Sequence, residues 1–337
     1  MKTYPAGKLP PAELDRLLDA YTHHHERLLV PPTVGEDAAV IDCGDRLLVA
    51  KTDPITFASD EIGWYAVHVN ANDIAAMGAT PRFFLSTILL PEERATPELA
   101  ESIFRSIHQA AEDLDIAVCG GHTEVTYGLD RPLVIGQMLG ETTRDRLVRS
   151  SGLRPGHALL LTKGLGIEAT AIIAREKRAQ LRDRGCTPAF LDACADFLHT
   201  PGISVVRDAQ IAAQSGQVTA MHDPTEGGVA TGLRELATAS AVGAEIDYHA
   251  LPIDPATARL CAAFELDPLG AISSGALLIG CTADSAAAIL AALHNANITA
   301  ARIGTVRPPS FGLQLRRDGH LTPLPTFPVD EITRLFA

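Results

Sequence analysis

The stretch Asn70-Ala71-Asn72-Asp73-Ile74-Ala75-Ala76-Met77-Gly78-Ala79 sets short polar side chains among small apolar ones. Residues 61–77 carry Ile62, Ala66, Val69, Ile74 and Met77 on or near one helical face, and Gly78 and Pro81 follow as stop signals. Asn and Asp are poor helix formers, yet Asn72 and Asp73 stand where the neighbours predict burial. A buried carboxylate needs either N–H partners or a metal ion. The stretch therefore predicts a buried helix with a polar task near its C-terminal end.

Similar motifs lie outward on both sides: Gly35-Glu36-Asp37-Ala38-Ala39-Val40, Lys51-Thr52-Asp53, Gly120-Gly121-His122-Thr123-Glu124, and His222-Asp223-Pro224-Thr225-Glu226-Gly227-Gly228. Each places a carboxylate beside a strand end or a glycine turn. Like charges gather in one place mainly when a cation compensates them, so convergence of these motifs would make a site for Mg²⁺ and polyphosphate. Singly, each has a plainer reading. Asp37 and Asp53 suit turns and caps. Asp223 suits either a helix N-cap or a ligand at a helix N-terminus. His122 and Glu124, two apart, point the same way if the chain stays extended. Gly164-Leu165-Gly166 is half of a phosphate-binding turn without its Gly-Lys-Ser/Thr ending.

Around the motifs, periodicity predicts helices over 11–29, 96–114, 167–181, 226–239 and 285–295. It predicts a hairpin over 42–53 turning at Cys43-Gly44-Asp45, and strands over 82–90, 133–139, 157–162 and 277–281. A short buried strand over 116–119 should stop at Gly120-Gly121. Residues 308–328 are turn-rich and read as a surface tail. Strands and helices alternate on both sides of Ser150-Ser151-Gly152-Leu153-Arg154-Pro155-Gly156, which predicts an α/β protein of mixed sheets with two domains, 1–150 and 151–337.

The 337 residues are 46% hydrophobic, enough for full cores, and the formal charge of −13 argues against duplex nucleic acid and anionic membranes as partners. Six cysteines form no CxxC pair, a spacing that argues against a zinc site and for ordinary thiols. No apolar run spans a bilayer, and Met1-Lys2-Thr3-Tyr4-Pro5 opens no signal peptide; a reducing cytoplasm is the expectation.

In order and spacing, from about Val34 to Leu293, these motifs resemble the aminoimidazole ribonucleotide (AIR) synthetase, or PurM-like, superfamily. The second-half runs Asp223-Pro224-Thr225-Glu226-Gly227-Gly228-Val229-Ala230-Thr231 and Val242-Gly243-Ala244-Glu245-Ile246 look most like its hydrogenase-maturation HypE branch. The resemblance implies an N-terminal domain whose strands pair across a homodimer and a C-terminal α/β domain, with ATP between them. It implies Mg²⁺ held by Asp37, Asp53, Asp73 and Asp223. Asn72, Gly120, Gly121 and Thr123 are implied with these carboxylates as nucleotide-binding residues, and Asp73, His122 and Glu124 as catalytic ones. The implied chemistry is ATP-dependent phosphoryl transfer to an oxygen of a small acceptor.

Three departures bear on the branch. The HypE pattern ends in a cysteine that carries a carbamoyl group, whereas no cysteine follows Cys281 here. HypE and kinase patterns have Asp where this sequence has His122, which matches the Gly-Gly-His-Thr of selenophosphate synthetase. That enzyme's N-terminal cysteine or selenocysteine loop has no counterpart, since the first cysteine is Cys43. Two alternatives stand beside the first reading. One is a small-molecule kinase like thiamine-monophosphate kinase, with which Glu61-Ile62-Gly63-Trp64 is compatible. The other is a non-catalytic nucleotide-binding partner in a maturation complex.

Overall fold

The computed structural model describes Tyr4 and residues 9–33, 35–55 and 60–336. Residues Met1 to Thr3 and Pro5, from which the absence of a leader is expected, lie outside the described residues, as does Val34. Two sheets organise the chain, one on each side of residues 150–156.

The first sheet holds β1 (Leu28–Val30), β2 (Ala39–Asp42), β3 (Leu47–Ile55), β4 (Thr80–Pro91), β5 (Ala117–Thr126) and β6 (Leu133–Thr142), in the order β1-β2-β3-β6-β4-β5. Only the β4–β5 pair is parallel. Helices α1 (Pro11–Tyr21), α2 (Ile62–Ala76) and α3 (Pro97–Asp113) accompany it. Strands β2 and β3 form the predicted hairpin, with the Gly44 N–H donating to Asp42 Oδ1 at 2.9 Å inside the turn.

Helix α2 is buried almost all round, as a helix apolar on every face must be. It packs on β3, β6 and β4 and against α3 and the later helix Val206–Ser215. Gly136 and Gly140 of β6 let it approach. A Cβ at Gly140 would stand 2.2 Å from Ile74 Cγ2, and one at Gly136 would stand 2.3 Å from Asn70 Nδ2.

The second sheet holds β7 (Ala158–Thr162), β8 (Val218–His222), β9 (Gly243–Asp247), β10 (Leu278–Cys281), β11 (Ala300–Arg307), β12 (Leu313–Arg317) and β13 (His320–Pro323). Their order is β13-β12-β9-β11-β7-β10-β8, and only β9–β12 is parallel. Its helices are α4 (Ile167–Glu176), α5 (Arg178–Asp183), α6 (Pro188–Ala195), α7 (Val206–Ser215), α8 (Gly228–Ala239), α9 (Pro255–Ala263) and α10 (Ala286–Asn295). The mixed α/β architecture expected from the sequence is the one observed. The largest apolar core runs through both halves, joining α2, β4 and β6 to α7, β10 and α10. No helix among the described residues is long and apolar enough to cross a membrane.

Several elements differ from expectation. The helix predicted over 11–29 ends at Tyr21, because Leu28–Val30 pairs with β2. The helix predicted over 167–181 divides at Lys177 into α4 and α5. The strand predicted to stop at Gly120-Gly121 continues through both as β5, an exposed edge strand. At Gly121 the φ is +150°, and a Cβ would meet the Ser86 carbonyl oxygen at 1.9 Å, so only glycine fits there. Residues 308–328 contribute β12 and β13 to the sheet. Asp318 and Gly319, both at positive φ, make their hairpin turn.

Candidate functional site

Four of the motif carboxylates meet where the two halves join. Asp37 lies in the loop before β2, Asp53 near the end of β3, Asp73 in the last turn of α2, and Asp223 directly after β8. Their centre is Lys51, which shares a face of β3 with Asp53 because the two are two residues apart. The Lys51 Nζ lies 3.0 Å from Asp73 Oδ1 and 3.4 Å from Asp53 Oδ2. Burial works against the Lys51 ammonium, but Asp73, Asp53 and Asp37 outweigh it and hold the lysine firmly charged.

His222 and Asp223 bring the second half to this point. The His222 Nδ1 is 2.5 Å from Asp37 Oδ1, and its Nε2 is 2.9 Å from Glu235 Oε2 on α8. Burial disfavours the imidazolium, but Asp37 and Glu235 outweigh it and raise the His222 pKa well above the ordinary value. Both ring N–H groups then donate, and the imidazolium ties the loop of Asp37 to the second half. Ligand atoms of Asp37, His222 and Asp223 all lie within 4.8 Å of one another.

Backbone anchors fix the carboxylates. Asn70 Oδ1 accepts from the Asp53 N–H at 2.9 Å, and its Nδ2 donates to the Ala66 carbonyl at 2.8 Å. Glu36, next to Asp37, accepts from Arg149 at 2.9 Å.

The carboxylates themselves are short of partners. Asp37 Oδ2, Asp73 Oδ2 and both oxygens of Asp223 are buried with no hydrogen-bond partner among the described residues. Burial pushes the Asp223 carboxyl up to about 7, with Asp37 adding to the shift and His222 and Lys51 opposing it. Asp73 is also held well above the usual carboxylate range by burial, then Asp223, Asp53 and Asp37, against Lys51. Unpaired buried charges of one sign are costly. An all-oxygen donor set of this kind fits a hard dication such as Mg²⁺, which takes carboxylate oxygens and retains waters. Asp37, Asp73 and Asp223 are the residues that could hold it.

The remaining expected site residues are placed elsewhere. Asn72 is engaged at both ends of its amide: its Nδ2 donates to the Ile203 carbonyl and its Oδ1 accepts from the Val205 N–H, both at 2.8 Å. It joins α2 to the second half. Gly120, Gly121, His122, Thr123 and Glu124 lie on β5. The register runs Asp53↔Gly136↔Ser86↔Gly121, which sets β5 three strand positions, about 14 Å, from Asp53. His122 aligns with Thr87 and Glu124 with Leu89, on the face opposite to Ser86 and α2. Within one chain they do not join the carboxylates. His122 Nε2 instead lies 3.0 Å from Glu124 Oε2 in the open.

Asp223 does not cap α8; Gly227 does, and its N–H donates to Asp330 Oδ2 at 2.6 Å. The turn at Gly164-Leu165-Gly166 has its N–H groups spent on Thr162, Pro252 and Ser273, so it offers no phosphate cradle. Sequence reasoning passed over Lys51, Asn70 and His222 as site residues, although each stands inside a quoted motif. For Lys51 the i, i+2 spacing to Asp53 was the available signal.

Residues 35–142 match the N-terminal domain of AIR synthase related protein, and residues 154–315 match its C-terminal domain. The chain belongs to the AIR synthase related family. Among its relatives is the carbamoyl dehydratase HypE of Rhizobium leguminosarum bv. viciae. The two are 30% identical over 267 residues, covering 77% of this chain and 73% of that one. The solved structure of E. coli HypE, a hydrogenase maturation protein, aligns with TM-score 0.73 at 27% identity, covering 89% of this chain and 93% of that chain. A HypE solved in complex with ATP shares the fold, with TM-score 0.72 at 24% identity over 95% of this chain and 91% of that one. The resemblance read from the sequence, to the PurM-like superfamily near HypE, is the one these comparisons give.

Proposed function

We propose that this chain is a Mg²⁺-dependent enzyme that transfers the terminal phosphoryl group of ATP to an oxygen of a small acceptor. The observation that carries the reading is that Asp37 and Asp223 bring ligand atoms within 4.8 Å of one another, that Asp73 feels both of their charges beside Lys51, and that buried oxygens of all three lack partners among the described residues. A HypE structure of the same fold with ATP bound and a family relative described as a carbamoyl dehydratase support it.

Phosphoryl transfer asks for positioning and charge neutralisation more than for covalent catalysis. Asp37, Asp73 and Asp223 would hold Mg²⁺, which would supply neutralisation of phosphate charge there. The chain's own groups do the rest. Lys51 keeps Asp53 and Asp73 from repelling each other, and its ammonium is a donor for a phosphate oxygen. The His222 imidazolium holds Asp37 in place. Asn70 fixes the backbone of Asp53, and Asn72 holds the two halves at one spacing. The acceptor oxygen bonds to the terminal phosphorus as the bond to the ADP oxygen breaks.

The active form is a homodimer. Phe83, Leu85 and Leu89 of β4 and Leu133, Ile135 and Leu139 of β6 share the sheet face opposite to α2. Phe83 is 41% exposed, and this apolar face fits a second copy of itself. His122 and Glu124 lie on the same face, so in the dimer they stand at the interface.

Calorimetry with a non-hydrolysable ATP analogue tests the reading. Binding should require Mg²⁺ and weaken at least tenfold in Asp73→Asn. Equal binding with and without Mg²⁺, unchanged in Asp73→Asn, would overturn it.

A further inference from the structure

The four carboxylates are not equivalent in their need for a cation. Asp53 and one oxygen of Asp73 already face a positive charge, since Lys51 Nζ stands 3.4 Å from Asp53 Oδ2 and 3.0 Å from Asp73 Oδ1. The oxygens without a hydrogen-bond partner among the described residues are others: Asp73 Oδ2, Asp37 Oδ2 and both of Asp223. The Lys51 side chain is only 21% exposed and that of Asp73 only 8%. Two cation positions therefore share Asp73, one filled by the chain and one bare.

We infer that Lys51 permanently occupies the position of a second metal ion, so that this protein takes a single dication per chain, at Asp37, Asp73 and Asp223. The inference rests on the phosphoryl-transfer reading above and adds the number of ions and the residue that sets it. An ammonium is a compact cation with three donors. With one N–H donated to Asp73 Oδ1 and Asp53 in ion-pair contact, the ammonium keeps donor capacity for a phosphate oxygen. A second dication near Asp53 and Asp73 Oδ1 would meet a like charge within a few ångströms and be repelled. Removing the ammonium leaves Asp53 and Asp73 Oδ1 as a new carboxylate pair able to take that ion.

The test counts ions without using turnover. The full chain is titrated with Mn²⁺ in the presence of adenylyl imidodiphosphate, and free Mn²⁺ is followed by electron paramagnetic resonance. The wild type should hold one Mn²⁺ per chain in the ternary complex, Lys51→Arg one, and Lys51→Ala two. A wild-type count of two overturns the inference regardless of how any variant folds. So does a count of one in both the wild type and Lys51→Ala, with circular dichroism and melting showing that variant folded. A wild type that holds nucleotide and no metal overturns the phosphoryl-transfer reading itself, a separate outcome.

Discussion

Asn72 and Val205 lie on opposite halves of the chain, 133 residues apart, and are joined by a buried hydrogen bond of 2.8 Å from the Val205 N–H to Asn72 Oδ1. The same side chain donates to the Ile203 carbonyl. One residue after Asn72, Asp73 enters the carboxylate cluster. The contact that sets the spacing of the halves is thus next to the group that the spacing serves.

Asn72→Ala should be costly. It leaves a buried N–H and a buried carbonyl unpaired, at roughly 1–3 kcal/mol each. Denaturant unfolding should show a loss of about 2–4 kcal/mol relative to wild type. A loss below about 0.5 kcal/mol would mean that the bond does not hold the halves together.

Gly140→Ala tests the approach of α2 to the sheet. The new Cβ would stand 2.2 Å from Ile74 Cγ2 and 2.8 Å from the Thr80 carbonyl oxygen. Overpacking of this kind costs about 1–3 kcal/mol, and because the helix carries Asp73, metal affinity should fall with stability. Thermal melting with and without Mg²⁺ measures both. Unchanged melting would show that the helix does not need the gap.

The metal-free protein should lose stability as pH rises from about 4 to about 7. Asp223 is pushed up to about 7 by burial and Asp37, so in that window the folded chain holds a proton that the unfolded chain has released. His222, raised by Asp37 and Glu235, contributes with the same sign: its stabilisation is full below the ordinary histidine value and is lost as pH climbs through the raised one. Mg²⁺ with an ATP analogue should therefore raise the melting temperature more at pH 8 than at pH 5.5. Asp223→Asn should flatten the metal-free slope. A metal-induced shift that does not change with pH would contradict this account.

Ile135→Glu should split the proposed dimer. It puts a charge in the centre of the apolar face of β6 and away from the carboxylates. Light scattering should report a monomer where the wild type is a dimer. A wild type that is monomeric at micromolar concentration removes the dimer.

Much was legible in the sequence because it is local. Glycine stops, small-residue helices and strand-length apolar runs located α2, β3, β4, β6 and β7 within a few residues, and carboxylates beside such ends pointed to a shared task. Motif order carried the family, since the spacing of short polar runs survives where overall identity is low. Other features depend on packing partners. Residues 308–328 read as a tail because a strand this short is stabilised only by the neighbour it pairs with, here β9.

The sequence by itself determined the α/β class, the family and the four aspartates at issue. Only the tertiary structure decided their roles. It set Lys51 between Asp53 and Asp73, used both ends of the Asn72 amide to join the halves, and turned His122 and Glu124 to the far face of the sheet. Spacing along a chain fixes which face of a strand a residue occupies only relative to its neighbours. Which charge stands within 3–4 Å of which depends on distant segments brought together by a common core, and no local pattern records that.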